Sequence, residues 1–205
     1  MMKRKFLNIL VSVLTAIAAQ NASAVILEFE DLPLHQTYSF GDNFVTSGVP
    51  VQVVKFQPLS GTPLSGTAFV DNWGMAGSTG KELSLTNADL KFQLDLVGIN
   101  RGIWLLFSDL GGGVNLGING DVKTAANFAD FTGITIGGVN VTVRGFPTGA
   151  ILLLNGGNED VESLTIGGAH LYVDYVYIAC NRVPEPATIM LLGLGSLGLL
   201  IGKKK

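Results

Sequence analysis

The chain holds one cysteine and two histidines in 205 residues. A lone Cys180 cannot close an internal disulfide, so the core must rest on burial of apolar side chains. We expect Cys180 itself to be buried at a strand end. His35 and His170 stand far apart, outside any His-x-x-x-His spacing, which leaves a Ser-His-acid triad or a His-based zinc centre almost nothing to draw on. No phosphate-binding Gly-x-x-x-x-Gly-Lys loop or dinucleotide fingerprint is present. In Gly74-Met75-Ala76-Gly77-Ser78-Thr79-Gly80, Ala76 stands where a nucleophile elbow needs glycine, so the segment reads as a loop. Positive charge is scarce in the middle: Val25 to Val183 carries 15 acidic and 7 basic residues, net -8. That segment has no Lys/Arg stripe to track a phosphate backbone, which argues against nucleic acid as a partner. Long amphipathic helical patterns are also missing, and only Thr124 to Phe131 suggests a helical turn or two.

What is abundant is glycine, 23 of the 159 residues from Val25 to Val183, together with Val, Ile, Leu, Thr and Phe. Turn signals such as Gly41-Asp42-Asn43, Gly111-Gly112-Gly113 and Asn119-Gly120 separate apolar or alternating runs. The runs are Val25–Glu30, Pro50–Phe56, Leu90–Leu96, Gly102–Phe107, Val139–Arg144, Ala150–Leu154, Glu162–Ile166 and His170–Ala179. Short strands at this spacing predict an all-β domain, a single antiparallel β-sandwich over residues 25–180. Thr135-Ile136-Gly137-Gly138 is echoed by Thr165-Ile166-Gly167-Gly168, each followed by a new alternating run. Because Gly-Gly supplies the positive φ of a two-residue turn, two hairpins are expected; convergent turn chemistry explains the echo better than duplication.

The two ends have a different grammar. Lys3, Arg4 and Lys5 precede an apolar run from Phe6 to Ala19, and Ala22-Ser23-Ala24 follows. That order is a secretory signal peptide, residues 1–24, with Ala22 and Ala24 fitting the peptidase's small pockets and Val25 becoming the first mature residue. At the other end a tether, residues 181–186, carries Val183-Pro184-Glu185-Pro186-Ala187. A glycine-interrupted apolar segment, residues 187–202, then reads as a thin transmembrane helix, and Lys203, Lys204 and Lys205 form a cytoplasmic basic tail. The prolines keep the segment before the helix extended and accessible at the membrane surface.

This tripartite tail resembles the PEP-CTERM sorting signal of Gram-negative bacteria, carried here by Val183 to Ala187, the apolar run and Lys203 to Lys205. The resemblance implies an inner-membrane-anchored precursor, cut by signal peptidase at one end and by an exosortase-like enzyme at the other. The product would pass to the cell surface or an exopolysaccharide matrix.

In the body, strand alternation from Ile26 would place Glu28 and Glu30 on one face. Asp174 stands among Tyr and Val in the last run, where a bare charge is costly to bury. The three are similar to the first-strand acidic pair and last-strand Asp of jelly-roll carbohydrate-binding modules, a resemblance that implies a structural calcium held by Glu28, Glu30 and Asp174. The plain alternative is a solvated edge-strand face. Trp104 lies in an apolar run and reads as core, whereas Trp73, between Asp71-Asn72 and Gly74, sits in a loop setting suited to stacking on a sugar. The expected function is that of an exported, non-catalytic surface or matrix protein. The alternatives are a specific carbohydrate-binding module with an extracellular polysaccharide as ligand and, third, a polysaccharide hydrolase.

Overall fold

The computed structural model describes residues 22–77, 79–94, 99–145, 148–154 and 160–181. The body of the chain is Ser23–Cys180. The expected transmembrane helix, the Pro-Glu-Pro segment, the basic tail and residues 1–21 of the expected signal peptide lie outside the described residues. Among the described residues no helix is long and apolar enough to cross a membrane.

The body is all-β. Its strands are β1 (Ala22–Leu27), β2 (Thr37–Ser39), β3 (Asn43–Thr46), β4 (Val49–Lys55), β5 (Thr67–Asp71), β6 (Glu82–Gln93), β7 (Ile99–Asp109), β8 (Val114–Ile118), β9 (Asp121–Ala125), β10 (Thr135–Ile136), β11 (Val139–Arg144), β12 (Thr148–Leu154) and β13 (Ser163–Asn181). Hydrogen bonding orders them β10-β11-β12-β7-β13-β6-β4-β3, with β2 joining through β5 to β6, β9 through β8 to β13, and β1 directly to β13. Every defined register is antiparallel.

Two long strands organise this arrangement. Along β6, Ala88–Phe92 pair with β4, and Glu82–Thr86 pair with β5. The change of partner falls at Asn87, whose φ of 49° is left-handed, a conformation asparagine adopts more readily than most residues. Gly66, just before β5, lies flat on this corner: a Cβ there would run into the carbonyl oxygens of Thr86 and Asn87. Along β13, Leu164–Gly168 are flanked by β6 on one edge and β8 on the other.

Between the strands lies one continuous apolar core, to which β1, β3–β8 and β11–β13 all contribute. In β4, Val49, Val51 and Val53 are buried while the residues between them are not, the period-two pattern of a strand with one face inward. Phe29, Phe56, Phe92, Phe107, Phe128 and Phe131 are all fully buried. Burying side chains of this size stabilises by about 1.5–3 kcal/mol each. Phe128 and Phe131 come from a short 3-10 helix, Phe128–Phe131; the rest of the expected helical stretch is partly β9.

Two expectations are corrected and one is met. β1 ends at Leu27, and Phe29 is left-handed at φ 57°, so Glu28 and Glu30 do not belong to an alternating strand. Gly137-Gly138 does close the β10–β11 hairpin, with φ of 52° and 82° and Ile136 opposite Val139. Gly167-Gly168 does not turn at all: it lies inside the 19-residue β13. There a flat, side-chain-free stretch is needed because a Cβ on Gly167 would overlap Asp89 Oδ1 and press on the β6 backbone.

Candidate functional site

The end of β1, the loop between β5 and β6, β7 and the far half of β13 meet around a cavity of about 690 Å³. Glu28, Glu30 and Asp174 line it, together with Gly77, Thr79, Trp104, Leu106 and Tyr175. The three acidic residues singled out from the sequence are thus brought to one place, by a route other than alternation. Phe29 buries its ring and turns the backbone left-handed between the two exposed glutamates. Tyr175, half-buried at the cavity and with φ 48°, likewise turns the β13 backbone left-handed immediately after Asp174. Such φ values in bulky residues cost about 1–3 kcal/mol and persist only where surrounding packing enforces them.

The first acidic segment is fastened to the start of β6. Glu30 Oε1 accepts the Lys81 backbone N–H at 2.8 Å, and Lys81 Nζ donates to the carbonyl oxygens of Glu30 at 2.6 Å and Leu32 at 2.7 Å. Gly80 makes room, since a Cβ there would strike Glu30 Oε1. Glu82, buried at the start of β6, fixes the neighbouring loop by accepting the N–H groups of Met75 at 2.8 Å and Ala76 at 2.7 Å. Opposite it in the ladder stands buried Asp71, whose Oδ1 accepts the Trp73 N–H at 3.3 Å. Burial, then the adjoining Glu82, pushes Asp71 up to about 6.

Asp174 is only 3% exposed and is pushed up to about 7, first by burial. The Tyr175 N–H donates to its Oδ1 at 2.6 Å and works the other way, while the charges of Glu82, Glu30 and Glu28 add to the rise. The cavity is therefore rich in hard oxygen atoms and short of positive charge, which is the donor set a calcium ion takes. In their present positions no three His, Cys, Asp or Glu side chains among the described residues are close enough to share an ion.

Trp73 is 70% exposed on the loop that Glu82 holds, its ring 6.5 Å from that of Tyr172 at a 40° tilt. Trp104, expected in the core, is instead half-buried in the cavity wall, edge-on to Tyr175 at 5.4 Å. Ala22, Ala24 and Val25 all fall within β1. Val183 to Ala187, Lys203 to Lys205 and the side chain of Cys180 lie outside the described residues. Sequence reasoning missed Glu82 and Asp71, although a β5–β6 hairpin drawn across the Asn72–Lys81 loop would have set them opposite one another.

Comparison with known proteins adds one assignment. Residues 182–205 match the PEP-CTERM protein-sorting motif, the same segment that carries the prolines, the apolar run and the lysines. The motif implies processing by an exosortase-type enzyme, and hence an exported, membrane-anchored precursor delivered to the cell surface. No curated protein matches the chain. Among solved structures, the catalytic unit of a thermostable GH87 alpha-1,3-glucanase from Streptomyces thermodiastaticus strain HF3-3 aligns at a TM-score of 0.36 and 14% identity over 82% of this chain. The chain spans 28% of that protein's length, and likeness at this level transfers neither fold nor activity.

Proposed function

We propose that the mature protein is a non-catalytic component of the Gram-negative cell surface or extracellular matrix, whose β-sandwich binds polysaccharide through Trp73. The observation that carries this reading is the placement of Trp73: a large aromatic face, mostly exposed, on a loop whose backbone is pinned by buried Glu82. A pinned, exposed aromatic presents stacking area at little entropic cost, which is what a sugar ring requires of a binding surface. Glu28, Glu30 and Asp174 would hold a structural calcium ion beside that loop, once their carboxylates close on it. The ion would offset the burial that chiefly raises Asp174 and the carboxylate charges that add to it.

The test is binding of the exported protein to a panel of soluble extracellular polysaccharides by affinity electrophoresis. Trp73→Ala should weaken retardation by about tenfold or more, the scale of a central aromatic anchor. Unchanged retardation in the variant would end the glycan reading, and release of new reducing ends would convert it into that of a hydrolase. Intact-mass measurement of the same material should show a chain beginning at Val25 and ending between Pro184 and Ala187. Retention of Lys203–Lys205 would leave a plain anchor.

A further inference from the structure

Another buried carboxyl group lies away from the cavity, where β6, β13 and β8 run side by side. Asp89 on β6 is opposite Gly167 on β13, and Asn115 on β8 is opposite the same glycine from the other edge. With no side chain on the strand between them, the two reach across: Asn115 Nδ2 donates to Asp89 Oδ2 at 2.8 Å. Asp89 is 3% exposed and Asn115 fully buried. The remaining oxygens, Asp89 Oδ1 and Asn115 Oδ1, are also buried and have no hydrogen-bond partner among the described residues. Two orphaned acceptors in one buried pair are expensive, and a single proton removes both deficits.

We propose that Asp89 is held as the neutral acid and closes a reciprocal acid–amide pair with Asn115 over Gly167, making the β6–β13–β8 junction a pH-sensitive clasp. In this pair Asn115 Nδ2 donates to Asp89 Oδ2, as observed, and the protonated Asp89 Oδ1 donates to Asn115 Oδ1. Loss of the proton leaves a carboxylate facing the amide oxygen inside the sheet, with no countercharge.

The surroundings bear this out. Opposite Asp89 on its other edge is Val54 of β4, beside Lys55; Lys91 lies two residues along β6 itself. On β13 the nearest ionisable side chain is His170, opposite Thr86, and β8 has none. Beyond β8, Lys123 and Asp121 of β9 pair with each other at 3.0 Å. The β4–β5 loop, whose Leu59 borders Gly113 just before β8, carries no ionisable group. None of these charges sets the acidity of Asp89: burial pushes it up to about 7, and only the Asn115 amide opposes this. With the folded value above the ordinary 3.8, the clasp stabilises fully below about pH 4. Its contribution falls as pH rises towards 7 and is lost above. An exported protein meets whatever pH lies outside the cell, so the junction is tightest in acid surroundings.

The test has two parts on the whole exported protein. Carboxyl-carbon NMR of aspartate-labelled wild type, with Asp89→Asn for assignment, should show Asp89 releasing its proton near pH 7, about a thousandfold weaker than an ordinary aspartate. Asp89→Asn can form the same two reciprocal bonds but cannot titrate. Its unfolding midpoint should therefore decline less than the wild type's between pH 4 and 8.5, the two curves converging only at the acid end. Asp89 titrating in the ordinary carboxylate range, or equal pH slopes for the two proteins, would overturn the proposal. Should the variant fail to fold, the wild-type resonance is assigned instead through its side-chain to backbone correlations, and its titration decides alone.

Discussion

Gly137-Gly138 and Gly167-Gly168 share a sequence setting, Thr-Ile before and an alternating run after, yet one pair is a turn and the other the middle of a strand. The first reverses the chain: β10 is two residues long at the end of the sheet order, and two positive φ angles make the turn, with Gly137 packed against the Ile118 carbonyl. The second is clamped, with Asp89 and Ala88 opposite it on β6 and Asn115 and Val114 on β8. Glycine licenses both outcomes, and the neighbours choose. What a local window cannot show is that the second pair serves as a floor over which two polar side chains from flanking strands must meet.

The sharpest way to break this comparison is to add one carbon at each site. In Gly167→Ala the Cβ overlaps Asp89 Oδ1 and comes within 2.5 Å of Ala88 O and Asp89 Cα, backbone that cannot withdraw without parting β6 from β13. We expect a loss of about 3 kcal/mol or more in chemical denaturation, overpacking at its severe end. A loss under about 1 kcal/mol would mean that the strands separate easily and the clamp is no clamp. At Gly138, φ 82°, the penalty is conformational instead: Gly138→Ala should cost about 1–2 kcal/mol. Gly138→Asn should cost less, because asparagine tolerates the left-handed region. Equal costs for the two substitutions would show that the turn is not what constrains that glycine.

The same contrast explains what was legible beforehand. Period-two runs with an inward face, such as Val49 to Val53 and Val139 to Val143, were readable because the pattern is local. The stretch of β6 before Leu90 was not: Ser84, Thr86, Asn87 and Asp89 interrupt the apolar pattern where the strand changes partner and supports the acid–amide pair. β8 escaped because it is buried along its whole length and has no alternation to detect. The acidic trio was found by type, but its convergence depends on left-handed Phe29 and Tyr175, which no propensity favours. The aromatic half of the cavity, Trp104 and Tyr175, was invisible, since an apolar strand gives no sign that one face opens onto a hollow.

The smallest expected effect separates two of the body's buried acids, Asp89 beside an amide and Asp174 beside carboxylates. Both are pushed up to about 7, so in the absence of a cation each contributes stability below about pH 4 that is lost as pH rises towards 7. Asp71, pushed up to about 6, follows the same course over a narrower window. A cation distinguishes them, because it can replace the proton only where several hard oxygens face one cavity. Calcium should therefore raise the melting temperature at pH 8, where Asp174 has lost its proton, and leave it unchanged at pH 4, where Asp174 keeps it. At tenfold excess over Kd the gain is about 1.4 kcal/mol. Asp174→Asn should abolish that gain, whereas Asp89→Asn should keep it. If EDTA and calcium give the same melting curve at pH 8, the acidic cavity holds no ion, and only protonation below about pH 7 offsets the burial of Asp174 and the carboxylates around it.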